Sequence, residues 1–227
     1  MSDFAGFPRQ TVTFIRRLGE NNHREWFQAH RDEYEQYWLE PAQDFVVAVA
    51  GPLRRLGTDV HAEPRVNGSI FRINRDIRFS KDKRPYKDHL DLWFWEGDRK
   101  TAVTGYFCRL TAETLVLGAG AHGFDPTQLE RYRRAVVADG GGAVLRRAVT
   151  SVEKAGWQVA GERYKTVPRG FIAIDPFRER MLRYDGLWVA GEEPMSPVVH
   201  GPELVDLCLV RWKTAAPIHR WLVANLT

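Results

Sequence analysis

The stretch FRINRDIRFSKDKRPYKDH, residues 71–89, concentrates the groups of this 227-residue chain whose types and spacing could do chemistry. Arg72, Arg75, Arg78, Lys81, Lys83, Arg84 and Lys87 supply cations, interrupted by Asp76 and Asp82. Arginine presents a planar fork of donors that matches phosphate or carboxylate, and lysine a mobile point charge. Side chains two residues apart on an extended chain sit ~7 Å from each other. Two like charges at that distance repel by roughly 0.6 kcal/mol in water and about 2.4 kcal/mol at an effective dielectric of 20. Asp76 beside Arg78 offsets part of this. If the remaining cations converge in a concavity, an anion is their natural partner.

The same stretch holds proton-transfer groups. Pro85 stiffens RPYKDH and sets Tyr86 beside Lys87 and close to His89. A tyrosine among cations can serve as acid, base or hydrogen-bond donor. The alternative for Tyr86 is a ring packed in the core with its hydroxyl at the edge. Asp76 either orients the arginines or acts as base. Further along, YKTVPRGF puts Lys165 and Arg169 around a proline turn, where they extend the anion site or pair with Glu162 or Asp175. The candidate set is therefore Asp76, Tyr86 and His89 for catalysis. For the anion it is Arg72, Arg75, Arg78, Lys83, Lys87, Lys165 and Arg169.

Period two predicts a strand over the first half of the stretch. Phe71, Ile73, Ile77 and Phe79 then share an apolar face with Arg75 in its middle, while Arg72, Asn74, Asp76, Arg78 and Ser80 share the other. An arginine in an apolar row must be paired, or the chain must bulge near Asn74 to re-aim it. Three functional readings stay open. The first is a site, enzymatic or not, for a small anionic ligand bearing phosphate or carboxylate. The second is a nucleic-acid-binding module that combines the cations with Phe71, Phe79, Tyr86, Trp93 and Trp95. The third is an internal ion-pair network that holds a sheet to its helices.

RINRDIRFSKDKRPYKDH closely resembles the signature of DUF2461, a family of bacterial proteins of unknown function and similar length. Arg72, Arg75, Asp76, Arg78, Phe79, Asp82, Lys83 and Tyr86 stand at the signature positions, and His89 follows the signature tyrosine. ENNHREWFQAHRDEYE and VPRGFIAIDP are also similar to family segments, so the resemblance spans essentially the whole chain. It departs at Ile174, before Asp175-Pro176, where a histidine or another polar residue is common. The resemblance implies that the motif belongs to the family, and it implies no activity.

Other motifs carry less. GAGAHG, residues 118–123, satisfies G-x-G-x-x-G and has Asp139 downstream, yet it closes an antiparallel series and precedes a helix with its own Asp125-Pro126 cap. That context predicts a strand-to-helix turn rather than a dinucleotide site. The seven histidines form no H-x₃-H or HExxH pair, so neither a metal site nor a cofactor is expected. His30 reads as a packed helix histidine. No G-x-S-x-G occurs, which argues against a serine hydrolase.

The elements that must position these residues follow from periodicity. Val12, Ile15 and Leu18 predict a helix ending at GENN, Asn22 is the expected cap of a second, and Pro41 suits the first turn of a third that ends at Gly57. From residue 59 to about 120 the pattern turns to strands. VNGSIFRI carries an Asn67-Gly68 hairpin signal, and HLDLWFWEG, TAVTGYFCRLTA and TLVLGAG follow at hairpin spacing. Helices return after Phe124, with caps at Asp125-Pro126 and Asp175-Pro176. LWVAGE is one more strand, and a last helix from Pro202 is broken or kinked at Pro217. The expected fold is α+β, one domain over residues 1–227. Residues 1–57 are helical and 58–123 form a mainly antiparallel sheet of four to five strands. Residues 124–227 are mostly helical.

Composition supports an ordered chain: 44% hydrophobic residues, with eight Trp and twelve Phe, provide a large core. A formal charge of +4 permits an anionic partner without requiring one. FVVAVA is too short to span a bilayer, and MSDFAGFPRQ lacks the pattern of a secretory signal. Cys108 and Cys208 form no CxxC pair and read as reduced buried thiols. A cytoplasmic protein with no membrane partner is expected.

Overall fold

The computed structural model describes residues 4–227. Helix α1 (Arg9–Glu20) buries Phe14, Ile15 and Leu18. Its successor α2 (Arg24–Ala29) is capped one residue later than the sequence suggested. His23, not Asn22, accepts the Trp26 N–H at 3.4 Å. The short α3 (Arg31–Tyr34) runs through a π-helical turn, Glu35–Leu39, into α4 (Glu40–Leu53), which has Pro41 in its first turn as expected.

Residues 54–89 then contain only isolated bridges before the sheet begins. Strands β1 (Leu90–Trp95), β2 (Gly105–Leu110) and β3 (Thr114–Ala121) pair antiparallel in sequence order. Helix α5 (Pro126–Val137) starts in a capping box. Asp125 accepts from the N–H groups of Thr127 and Gln128, and the Gln128 side chain returns to the Asp125 N–H at 3.2 Å. After α6 (Asp139–Lys154) come β4 (Gln158–Glu162), α7 (Pro176–Leu182) and β5 (Tyr184–Pro194). Asp175 caps α7 through the Arg178 N–H at 2.9 Å. A 3₁₀ turn, Pro197–His200, leads into α8 (Leu204–Leu226).

The strand order is β1-β2-β3-β5-β4, antiparallel throughout, so the α+β expectation and its strand number hold. Two strands come from the C-terminal part: β5 contains the expected LWVAGE strand, whereas β4 was not expected. The Asn67-Gly68 signal also differs in outcome. Asn67 takes φ 61°, as a turn requires, but no regular strands flank it. Gly118 and Gly120 lie within β3, and α5 keeps its own cap, in line with a strand-to-helix turn.

Strand alternation gives the sheet two unlike faces. Leu90, Leu92, Phe94, Tyr106, Cys108, Leu110, Leu115, Leu117, Leu187 and Val189 are buried on one. Helix α8 covers it with Trp212, Ile218 and Leu222. Each fully buried side chain of this size contributes about 1.5–3 kcal/mol. Pro217 does not break α8; the helix continues with Ala215, Ala216 and Ile218 fully buried around it. Packing at those positions outweighs the one backbone hydrogen bond that proline cannot donate. The opposite face carries Asp91, Trp93 and Trp95 from β1, Arg109 and Phe107 from β2, and Trp188 from β5.

The two sheet edges are occupied differently. Along β1, the N–H groups of His61 and Phe71 donate to Trp95 and Asp91 carbonyls at 2.8 and 3.0 Å, and the Trp93 N–H donates to Ser69 at 2.8 Å. At the other edge, β4 shifts register between Ala160 and Glu162, where Gly161 adopts φ 121°.

Candidate functional site

The predicted strand over residues 71–79 is a correction. Past Phe71 the chain leaves β1 and folds back on itself. Arg75 N–H donates to Pro85 O at 2.9 Å, Lys87 N–H donates to Ile73 O at 2.8 Å, and Asn74 bridges Tyr86. Residues 76–84 form the tip of this short ladder. The apolar row therefore divides. Ile73 enters the core at 4% exposure, whereas Phe79 stands at 96% and Phe71 at 40%.

Local hydrogen bonding at two Asp-x-Arg repeats explains the change. Asp76 Oδ1 accepts the backbone N–H of Arg78 at 3.2 Å, and the Arg78 guanidinium closes on the same carboxylate at 2.9 and 2.6 Å. Asp82 repeats the pattern with the N–H of Arg84 at 3.0 Å and its Nε and Nη2 at 3.0 and 2.8 Å. An aspartate that bonds the backbone two residues on offers the chain a turn in place of a ladder. Arg75 joins the second repeat, Nη1 to Asp82 Oδ2 at 2.7 Å and to Arg84 O at 3.1 Å. Pairing thus accounts for the arginine in the apolar row. Lys83 Nζ donates to Ile77 O at 3.0 Å. The side-chain hydrogen bonds from Arg78 lower the Asp76 pKa to about 2, and those from Arg84 hold Asp82 lower still.

Tyr86 is anchored from behind. The residue is 5% exposed, and its ring stacks on Phe27 at 4.3 Å between centroids. Asn22 fixes its backbone from α2's leading turn, with the Asn22 amide donating to Tyr86 O and accepting from Tyr86 N–H.

A second cluster begins where the ladder meets the sheet. The Asp91 side chain is 15% exposed and receives three groups. Lys87 Nζ lies 3.0 Å and His89 Nε2 3.3 Å from Oδ2, and Arg109 Nε donates to Oδ1 at 2.7 Å. Burial alone would raise the Asp91 pKa; the hydrogen bonds from His89 and Arg109 outweigh it and hold the carboxyl well below the ordinary range. His89 Nδ1 faces Asp88 Oδ1 at 3.1 Å, and Arg84 reaches Asp88 at 3.2 Å. Both ring nitrogens of His89 thus face carboxylate oxygens, Nδ1 toward Asp88 and Nε2 toward Asp91. Lys87 also lies 4.7 Å from the centroid of the Phe71 ring. Arg109 is engaged through Nε alone, and its side chain is 48% exposed.

Among the sequence-selected residues, Lys87 and His89 meet on Asp91, while Arg75, Arg78 and Lys83 serve the tip. Arg72 is exposed with no hydrogen bond or ion pair among the described residues. Lys165 and Arg169 are exposed between β4 and α7, and among the described residues neither makes a hydrogen bond or ion pair with the 71–91 cluster. The pairs weighed for them form elsewhere: Glu162 with Arg183 at 3.0 Å, and Asp175 with Arg178 and Arg146 at 2.6 Å each. Asp91 and Arg109 were missed. Alternation in LDLWFW and GYFCRL could have found them, since it sets Asp91 with Trp93 and Arg109 with Phe107 on the faces opposite the leucines.

An open cleft of about 470 Å³ adjoins Asp88 and His89, but Glu20, Asp88 and Glu113 outnumber Arg16 in its lining. Among the described residues no group of three or more His, Cys, Asp or Glu is placed to hold a metal, and no helix is long and apolar enough to cross a membrane. A family model described as "Conserved hypothetical protein (DUF2461)" matches residues 10–221. The chain belongs to this family. The match includes the double Asp-x-Arg tip and both partners of the Asp91–Arg109 pair, so the resemblance of the 71–89 stretch extends across the fold that surrounds it. Neither the curated proteins nor the solved structures yield a match.

Proposed function

We propose that the protein binds a small ligand through a phosphate or carboxylate at the edge of the open sheet face, on Lys87 and Arg109. The observation that carries this reading is the convergence of Lys87 and Arg109, together with His89, on the one carboxylate of Asp91. Asp91 holds the cations in place without using up their donors. Arg109 keeps two guanidinium nitrogens and Lys87 two ammonium protons beyond their bonds to it. A unit charge placed about 4 Å from either interacts by about 4 kcal/mol at an effective dielectric of 20. Cations fixed in advance lose little freedom on binding.

In this reading Arg75, Arg78, Lys83 and Asp76 shape the tip, and the Tyr86 ring anchors it to the core. His89, hydrogen-bonded on both ring nitrogens, is the proton-transfer candidate of the seat. Calorimetric titration with pyrophosphate tests the reading. Binding is expected, weakening as salt rises, and Arg109→Ala should weaken it by roughly ten-fold or more. A folded Arg109→Ala protein that binds as well as wild type would refute it.

The doubled Asp-x-Arg arrangement favours a second reading, in which the tip is a structural ion-pair network and nothing more. Lost stability with unchanged pyrophosphate binding in Asp82→Asn assigns the tip that role.

A further inference from the structure

The charged seat continues into a row of aromatic rings on the same sheet face. Trp93 and Phe107 are cross-strand partners, two residues beyond Asp91 and Arg109 respectively. Trp188 and His122 follow. His122 lies 4.8 Å from Trp188 and 6.2 Å from Phe107 between centroids, and Phe107 and Trp188 are 6.3 Å apart. All four rings are half-buried or exposed. Among the described residues the helix that packs most extensively on the sheet is α8, and it covers the opposite face.

Glycines shape this row. Phe107 pairs with Gly118, and a Cβ there would lie 2.4 Å from the phenyl ring. A Cβ on Gly105 would lie 2.2 Å from the Trp93 indole nitrogen. The rings therefore lie down over bare backbone instead of standing between side chains, and their faces form a platform. At the far end of β1 the protein already uses such a platform. Trp95 is 3% exposed because His61 stacks on it at 5.7 Å and 12°, and the Arg99 guanidinium lies 4.9 Å from its centroid. Trp93 is flanked by Trp95 at 5.8 Å and carries no such cover.

We infer that the Trp93–Phe107 platform stacks the planar ring of the ligand whose anion sits on Lys87 and Arg109, so that the ligand is a mononucleotide or a close chemical analogue. This rests on the anion seat proposed above. Residues two apart on a strand present side chains ~7 Å apart on one face. A ring over Phe107 or Trp93 thus brings its linked phosphate over Arg109. Charge restricts the occupant to a single anionic group. In the row Asp91, Arg109, Val116, Glu192 set by the sheet register, positive charge is confined to one end and the exposed Glu192 closes the other. A single strand of nucleic acid needs cations spaced along its path; this row has them at one end, and the next cation on the face, Arg99, is taken up on Trp95.

The test compares adenosine 5′-monophosphate, ribose 5-phosphate and a thymidine decamer, by tryptophan fluorescence and calorimetry on the full chain. Adenosine 5′-monophosphate is expected to bind roughly ten-fold more tightly than ribose 5-phosphate and to quench fluorescence. Trp93→Leu should bring that ratio to about one while leaving ribose 5-phosphate affinity in place, and Arg109→Ala should weaken both. If Trp93→Leu does not fold, as judged by circular dichroism, Phe107→Leu supplies the same comparison. Equal binding of the two phosphates overturns the stacking platform and leaves the anion seat standing. Binding of neither overturns the seat and the platform together. Binding of the decamer without the mononucleotide overturns the assignment in favour of a nucleic-acid strand.

Discussion

Asn22 holds Tyr86 by both ends of its amide: Nδ2 donates to the Tyr86 carbonyl and Oδ1 accepts the Tyr86 N–H, each at 3.0 Å. This pair joins the turn before α2 to a residue 64 positions away, where the ladder returns from its charged tip. Asn22→Ala removes both bonds and leaves two partly buried backbone groups to find water. The expected loss is about 2 kcal/mol, measured as a drop in urea midpoint at unchanged slope. Asn22→Asp keeps the acceptor and loses the donor, and should fall between wild type and Asn22→Ala.

The tip depends on Asp82 more than on any other carboxylate, because Arg75 and Arg84 both close on it. Asp82→Asn should accelerate amide hydrogen exchange through residues 76–84, beginning with the Arg84 N–H that Asp82 accepts. Exchange in β1 to β3 should be unaffected. Uniform acceleration across the domain would show that the tip is coupled to the global fold instead.

Buried charge elsewhere sets the acid stability. Glu96 is 4% exposed and accepts from Thr58 N–H at 3.0 Å, Asp59 N–H at 2.7 Å and fully buried His219 at 3.0 Å. Burial pushes its pKa up, but His219 and Thr58 prevail and lower it from 4.5 to about 2. A carboxyl depressed in the folded state stabilises above its unfolded pKa and loses that contribution as pH falls through the folded one. The window therefore runs from about pH 4.5 down to about 2, with roughly 3 kcal/mol at stake. Glu96→Gln should be less stable at neutral pH and show a shallower acid limb in urea midpoints. Parallel curves for the two proteins would remove Glu96 as the cause.

Cys108 and Cys208 are buried free thiols. Burial, and then the neighbouring Cys108, push the Cys208 thiol up, so little nucleophilic thiolate forms. The native protein should be inert to a chromogenic disulfide reagent, with two thiols released on unfolding in guanidinium. Rapid reaction of either in the native state would show an opening of the α8–β2 contact.

What could be read in advance was what local chemistry decides. Asp125-Pro126 and Asp175-Pro176 begin helices because their side chains meet N–H groups within three residues. Strong alternation marks β1, β2 and β3. Strand β4 escaped because its five residues are exposed or half-exposed and include Gly161 at φ 121°. The 71–79 segment misled through its period of two, which two aspartates overrode by bonding the backbone ahead of them. The Asp91–Arg109 pair depends on the register of β1 against β2. Their nine-residue connection, 96–104, is too long for turn type to fix that register. Lys87 and His89 were therefore visible, while Arg109 and the carboxylate that gathers all three were not.

The sheet's two borders bear on how this protein meets copies of itself. Unpaired backbone groups along an outer strand recruit other chains by strand addition. On the β1 side that recruiting line is already spoken for by residues 59–61 and 69–71. On the β4 side it is short, and the irregularity at Gly161 interrupts it. An aromatic-rich protein can thus leave Trp93 and Phe107 open to a small ligand without also offering a straight template on which copies could polymerise.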